Sequence, residues 1–109
     1  MAKKDLTLQK IVALLKKEFK PSRLYLFGSR ANGNAKKESD YDFVMVLPKF
    51  RGDRMVAWER CHDLIYEQFG ILVDVFTYSD SEFNKYKSEF SSIPETAAST
   101  GQELDLGAF

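Results

Sequence analysis

Three aspartates and one Gly-Ser pair carry the chemistry this sequence offers. Asp40 and Asp42 stand one residue apart in "SDYDFVMVL", at the mouth of an apolar run. Strand side chains alternate faces, so both carboxylates are predicted to point the same way, a few ångströms apart. Like charges that close resist joint ionisation unless something positive sits between them. Hard carboxylate oxygens suit Mg²⁺ or Mn²⁺. Asp74 is the one polar residue in "ILVDVF". A charge in an apolar strand is costly unless it is paired or metal-bound. It shares a strand face with Leu72 and Phe76, so it is predicted at an edge of the core where a site opens. Taken singly, each carboxylate has a plainer explanation. Ser39 and Asp40 could make local backbone hydrogen bonds in a turn, and Asp74 could pair with an arginine. Together, on neighbouring predicted strands, the three point to a metal site that handles phosphate.

Gly28-Ser29 closes an earlier apolar run, "LYLF". Glycine lets a phosphate approach the backbone closely. Free N–H groups at a helix start, with the Ser29 hydroxyl, would hold phosphate oxygens. The simpler alternative is a turn glycine followed by a serine N-cap. Arg30 follows directly and could offset triphosphate charge, or serve as an ion-paired arginine at the helix start. Lys36 and Lys37 read as a solvated loop face. His62, the single histidine, reads as a surface or half-buried helix residue.

These residues need elements to position them. Residues 5–19 place Leu8, Ile11, Val12, Leu15 and Phe19 on one face of an amphipathic helix that Asp5 could start and Pro21 stops. Residues 23–28 read as a short buried strand, with a brief helix over 30–33 and a loop over 34–39. Residues 41–47 are rich in β-formers and read as a second strand, closed by Pro48. "RGD" at 51–53 reads as a turn whose Asp53 caps a helix over 54–69. That helix faces Met55, Trp58, Cys61, Ile65 and Phe69 inward and ends at Gly70. Residues 71–77 read as a third strand. Ser79-Asp80-Ser81-Glu82 fits a capping box that starts a helix through about residue 90. Ser92-Ile93-Pro94-Glu95 starts a last helix through about Leu104. This alternation predicts an α/β sandwich around a small sheet.

With these residues assembled, "GSRANGNAKKESDYD" resembles the signature of nucleotidyltransferases related to DNA polymerase β. The pattern is Gly-Ser, ten residues, Asp-x-Asp, then a third acid among apolar residues, which Asp74 in "VDV" matches. The closer detail "GSRAxGxA…SDxD" resembles the minimal nucleotidyltransferases, many of which are the antitoxin half of pairs with a HEPN-domain toxin. The likeness runs over roughly residues 5–104. Asn32 stands where many members carry a second arginine, on the phosphate side of the loop. The resemblance implies an α/β (α+β) nucleotidyltransferase fold with a mixed sheet of three or four strands packed with helices. It implies that Asp40 and Asp42 bind two Mg²⁺ (or Mn²⁺) ions and that Asp74 binds only the ion activating the acceptor hydroxyl. Gly28 and Ser29 would hold the β- and γ-phosphates of a nucleoside triphosphate. The implied reaction moves AMP from ATP to a hydroxyl, foremost a tyrosine of a HEPN partner.

Composition sets the outer bounds. The chain has 109 residues, 44% hydrophobic and 29% charged, which reads as one globular domain over 1–109. Sixteen basic and sixteen acidic side chains cancel, so no bulk positive field exists to hold a long nucleic acid. The one cysteine, Cys61, reads as a buried thiol in a reducing cytoplasm. "IVALL" is too short for a signal peptide or a membrane span, which predicts a soluble intracellular protein. Larger relatives carry further domains. Here a second protein, a second copy of the chain, or the acceptor itself is expected to complete the site. One Trp, five Tyr and nine Phe are many for so small a core. Trp58, Phe69, Phe76, Phe83 and Phe90 are assigned mainly to the core, and any excess would mark an interface. Two alternatives stay open from sequence: transfer to a small molecule or an RNA 3′ end, and a non-catalytic partner-binding module.

Overall fold

A computed structural model describes residues 5–33, 35 and 40–108. Lys36, Lys37 and Ser39 lie outside the described residues. Helix α1 covers Leu6–Phe19, and strand β1 covers Arg23–Phe27. A 3₁₀ turn over Gly28–Arg30 follows, then strand β2 over Tyr41–Leu47. Helix α2 spans Arg54–Phe69 and strand β3 spans Val73–Ser79. Helices α3 (Asp80–Tyr86) and α4 (Ile93–Thr100) precede a two-residue strand β4, Gln102–Glu103. The sheet order is β3-β2-β1-β4. β2 pairs parallel with β3, and β1 pairs antiparallel with both β2 and β4, so the sheet is mixed as expected.

Alternation on the strands sorts the core into two layers. Leu24, Leu26, Phe43, Met45, Val73 and Val75 pack under Ile11, Val12 and Leu15 of α1 and Cys61 and Ile65 of α2. The opposite face carries Tyr25, Val44, Val46 and Tyr78 against Phe83 of α3 and Ala97 of α4. Asp42 and Asp74 follow the alternation of this second face, beyond its apolar part. Burial pushes the Cys61 thiol up to about 12, so it stays a protonated core group.

The helix signals act where they were read. Asp5 accepts from the Leu8 N–H, and Asp53 accepts from the Met55 and Val56 N–H groups. Gly70 ends α2 in the left-handed region at φ 67°, donating its N–H to the Tyr66 carbonyl. Ser79 and Glu82 form a full capping box on α3. The Ser79 N–H holds the Glu82 carboxyl below its usual range, aided by Arg54.

Several expectations fail on tertiary grounds. Ser29 is not a helix cap: the 3₁₀ turn starts one residue earlier, with Phe27 before it and no side-chain capping bond. α3 stops at Tyr86 rather than near residue 90, and Ser91 turns the chain at φ 65°. Phe90 is 91% exposed and Met55 is 68% exposed, so neither belongs to the core. Leu72 precedes β3 and is also exposed. The last helix ends at Thr100, and the chain then pairs Glu103 with Tyr25 and Gln102 with Leu26. A side chain at Gly101 would meet the Leu26 carbonyl oxygen at 2.8 Å, so glycine permits this close return to the β1 edge.

Candidate active site

The parallel pairing of β2 with β3 sets Asp42 directly beside Asp74. Adjacent strands lie about 4.8 Å apart, so two carboxylates on one face at this register are in contact range. Burial, the charge of Asp74 and a side-chain hydrogen bond to Asp74 push the Asp42 carboxyl up to about 6, with a smaller contribution from Asp40. A carboxyl–carboxyl hydrogen bond needs one proton, and burial with two like charges nearby keeps that proton on Asp42.

β1 brings the Gly-Ser turn to the same place. Phe27, its last residue, pairs with Asp42. Gly28 follows at φ 74°, a conformation in which a side chain is strained. A Cβ there would lie 2.4 Å from Asp42 Oδ2. The backbone of the turn therefore sits against the carboxylate with no room between. Ser29 is half-buried in the turn, and the Ala31 N–H closes it on the Gly28 carbonyl at 3.1 Å. Arg30 places its guanidinium carbon 4.3 Å from the Tyr41 ring centroid. The Tyr41 hydroxyl donates to Asp5 Oδ2 at 3.0 Å, tying the start of β2 to the start of α1.

Asp40 immediately precedes β2 and is exposed. Among the described residues, no three acidic, histidine or cysteine side chains gather as one ligand cluster. The donor chemistry nevertheless fits a divalent cation. Asp42 and Asp74 are paired hard-oxygen donors whose mutual repulsion a cation would relieve, with Asp40 one strand step away.

Two residues of α2 that bond to β3 were not singled out for function from sequence. Trp58 of α2 donates its indole N–H to Asp74 Oδ1 at 2.9 Å. Its ring also stacks on His62 at 5.1 Å, and His62 is half-buried and contacts Asp63. Arg54 donates through Nε to the Thr77 carbonyl at 2.9 Å and pairs with Glu82 at 2.7 Å. It binds the first turn of α2 to the outer edge of β3. The legible signal for Trp58 was Asp74 itself: a carboxylate entering an apolar layer needs a donor, and tryptophan is apolar with one N–H to offer.

A family model described as a nucleotidyltransferase domain matches residues 8–106. No curated protein matches the chain significantly. Among solved structures, the chain is similar to a toxin–antitoxin crystallised with AMP-PNP, at 20% identity and a TM-score of 0.65. That match covers 87% of this chain and 69% of the other. A toxin–antitoxin MntA–HepT structure matches at 18% identity and a TM-score of 0.61, over 92% of this chain and 70% of that one. At these identities the likeness speaks for the fold. No helix among the described residues is long and apolar enough to cross a membrane.

Proposed function

The chain belongs to the nucleotidyltransferase domain family, and from that membership we propose that it moves AMP from ATP onto a hydroxyl of a partner protein. The acceptor in this reading is a tyrosine of a HEPN-type toxin, and the chain is the antitoxin. The observation that supports it most is the register that sets Asp42 beside Asp74 with Gly28 against Asp42. The structural neighbours support the partner class, and the AMP-PNP in one of them supports the nucleotide. The whole chain acts as one domain of this kind, in the cytoplasm where ATP is at hand.

Each residue then has a task. The Gly28–Ser29 turn would hold the β- and γ-phosphates with its backbone N–H groups, and Arg30 would have to leave the Tyr41 ring to reach them. Asp40, Asp42 and Asp74 would hold Mg²⁺ or Mn²⁺, which supplies Lewis-acid neutralisation of phosphate charge. The acceptor oxygen forms a bond to the α-phosphorus. The bond from that phosphorus to the oxygen bridging to the β-phosphorus breaks, and pyrophosphate departs. In this reading the Asp74 carboxylate takes the hydroxyl proton.

The test is transfer from α-labelled ATP with Mg²⁺ to the purified protein encoded beside this one. Label is expected on a partner tyrosine. Asp42→Asn and Asp74→Asn should each reduce it on the order of a hundredfold or more. A chain that binds ATP but labels no partner, or an Asp42→Asn variant that neutralises the partner at sub-stoichiometric amounts, would remove this reading.

A further inference from the structure

An apolar cleft of about 320 Å³ is lined by Arg54, Met55 and Trp58 of α2 and Phe76 of β3, and Trp58 links it to Asp74. We infer that this cleft is the acceptor pocket and that it takes the aromatic body of a hydroxyl-bearing side chain, a phenol, from a protein segment. The inference rests on the nucleotidyl-transfer reading and adds to it where the acceptor docks and what shape it has.

Three observations carry it. The first is continuity. Phe76 lies two residues beyond Asp74 on the same strand face, and Trp58, which lines the cleft, donates its N–H to Asp74. A side chain packed on Trp58 and Phe76 is thereby directed toward that carboxylate. The second is direction. The order across the sheet is β3, β2, β1, so Asp74 lies on one side of Asp42 and the Gly28 turn on the other. In-line displacement needs the entering oxygen opposite the leaving one. Pyrophosphate leaves toward Gly28, so the acceptor enters from the β3 edge, where the cleft is. An adenine base in the cleft would block that approach. The third is wall chemistry. Met55, Trp58 and Phe76 present hydrocarbon and ring faces, while the Arg54 guanidinium is engaged by Glu82, the Thr77 carbonyl and the Tyr78 ring. A serine or a sugar would leave these walls unfilled, whereas a phenol ring fills them and carries its oxygen at the tip. Met55 extends the apolar rim into solvent, 68% exposed, which suits a protein surface around the acceptor.

In this pocket the phenolic oxygen bonds to the α-phosphorus of ATP. The bridge from that phosphorus to the β-phosphate breaks and pyrophosphate leaves. The phenolic proton passes to Asp74. Trp58 holds one oxygen of that carboxylate and so fixes its orientation at the cleft.

Trp58 is the chain's single tryptophan, so its emission reports on this cleft and, through Asp74, on the neighbouring carboxylates. The full chain is titrated with N-acetyl-tyrosinamide, N-acetyl-phenylalaninamide and N-acetyl-serinamide, with and without ATP and Mg²⁺, exciting only tryptophan. Saturable shifts are expected with the two aromatic amides, none with the serine amide, and no displacement by ATP. Met55→Glu, at an exposed position that the fold does not need, should weaken aromatic binding by about tenfold or more. It should raise KM for the labelled partner protein and leave KM for ATP unchanged. Displacement by ATP, an equal response to the serine amide, or no saturable shift overturns the pocket. Transfer that Met55→Glu leaves unchanged also refutes the pocket and spares the enzymatic reading. Aromatic binding with no label transferred to any partner refutes the enzymatic reading instead.

Discussion

Replacing Asp42 with asparagine should make the metal-free protein more stable while removing its activity. Asp42 titrates near 3.8 when solvated and is pushed up to about 6 in the fold by burial and by Asp74 and Asp40. The folded state thus binds this proton more tightly than the unfolded chain does. Its stabilising effect is complete below the unfolded value and is lost as pH rises through about 6. Above that pH the fold carries an unfavourable carboxylate. At about 1.4 kcal/mol per pH unit, the gap corresponds to a ceiling of roughly 3 kcal/mol. Asp42 is only partly buried, and solvent screening reduces this to about 1–2 kcal/mol. Asparagine keeps the shape, drops the charge and can donate an amide N–H to Asp74. For a domain of this size the gain corresponds to about 5–10 °C in Tm. The assay is thermal unfolding followed by circular dichroism in chelator, from neutral pH down toward 4. Asp42→Asn should melt higher at neutral pH, and its advantage should shrink between about 6 and 3.8 as the wild-type carboxyl protonates. Mg²⁺ with ATP should narrow the difference by stabilising only the wild type. A variant no more stable than wild type at neutral pH, or an advantage constant across the titration, would show that Asp42 carries no such electrostatic load.

Two further predictions concern the same face and the β3 edge. Gly28→Ala forces a Cβ into the left-handed region and to 2.4 Å from Asp42 Oδ2. It should cost about 1–2 kcal/mol in urea unfolding and abolish ATP-dependent labelling, because either the turn or the Asp42 carboxylate must move and their contact is lost. Full activity in this variant would mean that the turn and carboxylate need not touch. Thr77 is fully buried, and its hydroxyl has no hydrogen-bond partner among the described residues. Thr77→Val should raise stability by about 1 kcal/mol, since the near-isosteric methyl has no polar atom to satisfy. A loss in denaturant midpoint would reveal a hydroxyl partner and refute this.

Much of the fold was legible because its determinants are local. α1 and α2 announce themselves through an apolar stripe with Asp5 and Asp53 in front, and each cap satisfies the N–H groups that follow it. β2 was readable as a run of β-formers ended by proline. Strand β4 was not, because Gln102 and Glu103 are both exposed and show no alternation. Their state comes from the unpaired edge of β1, which lies most of the chain length away. Phe90 and Met55 were misplaced for a related reason. Hydrophobicity favours burial, but only the packed arrangement decides which aromatic finds a partner.

The candidate site divides along the same line. The amino-acid sequence by itself determined the chemical inventory: three carboxylates, a glycine able to take positive φ, and the strand alternation that orients Asp42 and Asp74. Residue type and two-residue periodicity are enough for that. Only the tertiary structure decided that Asp42 faces Asp74, that Gly28 closes on Asp42, and that Trp58 reaches round the sheet edge to hold Asp74. These contacts depend on strand register and on how α2 docks. Both are set by the fit of two buried layers, which no local stretch of chain encodes.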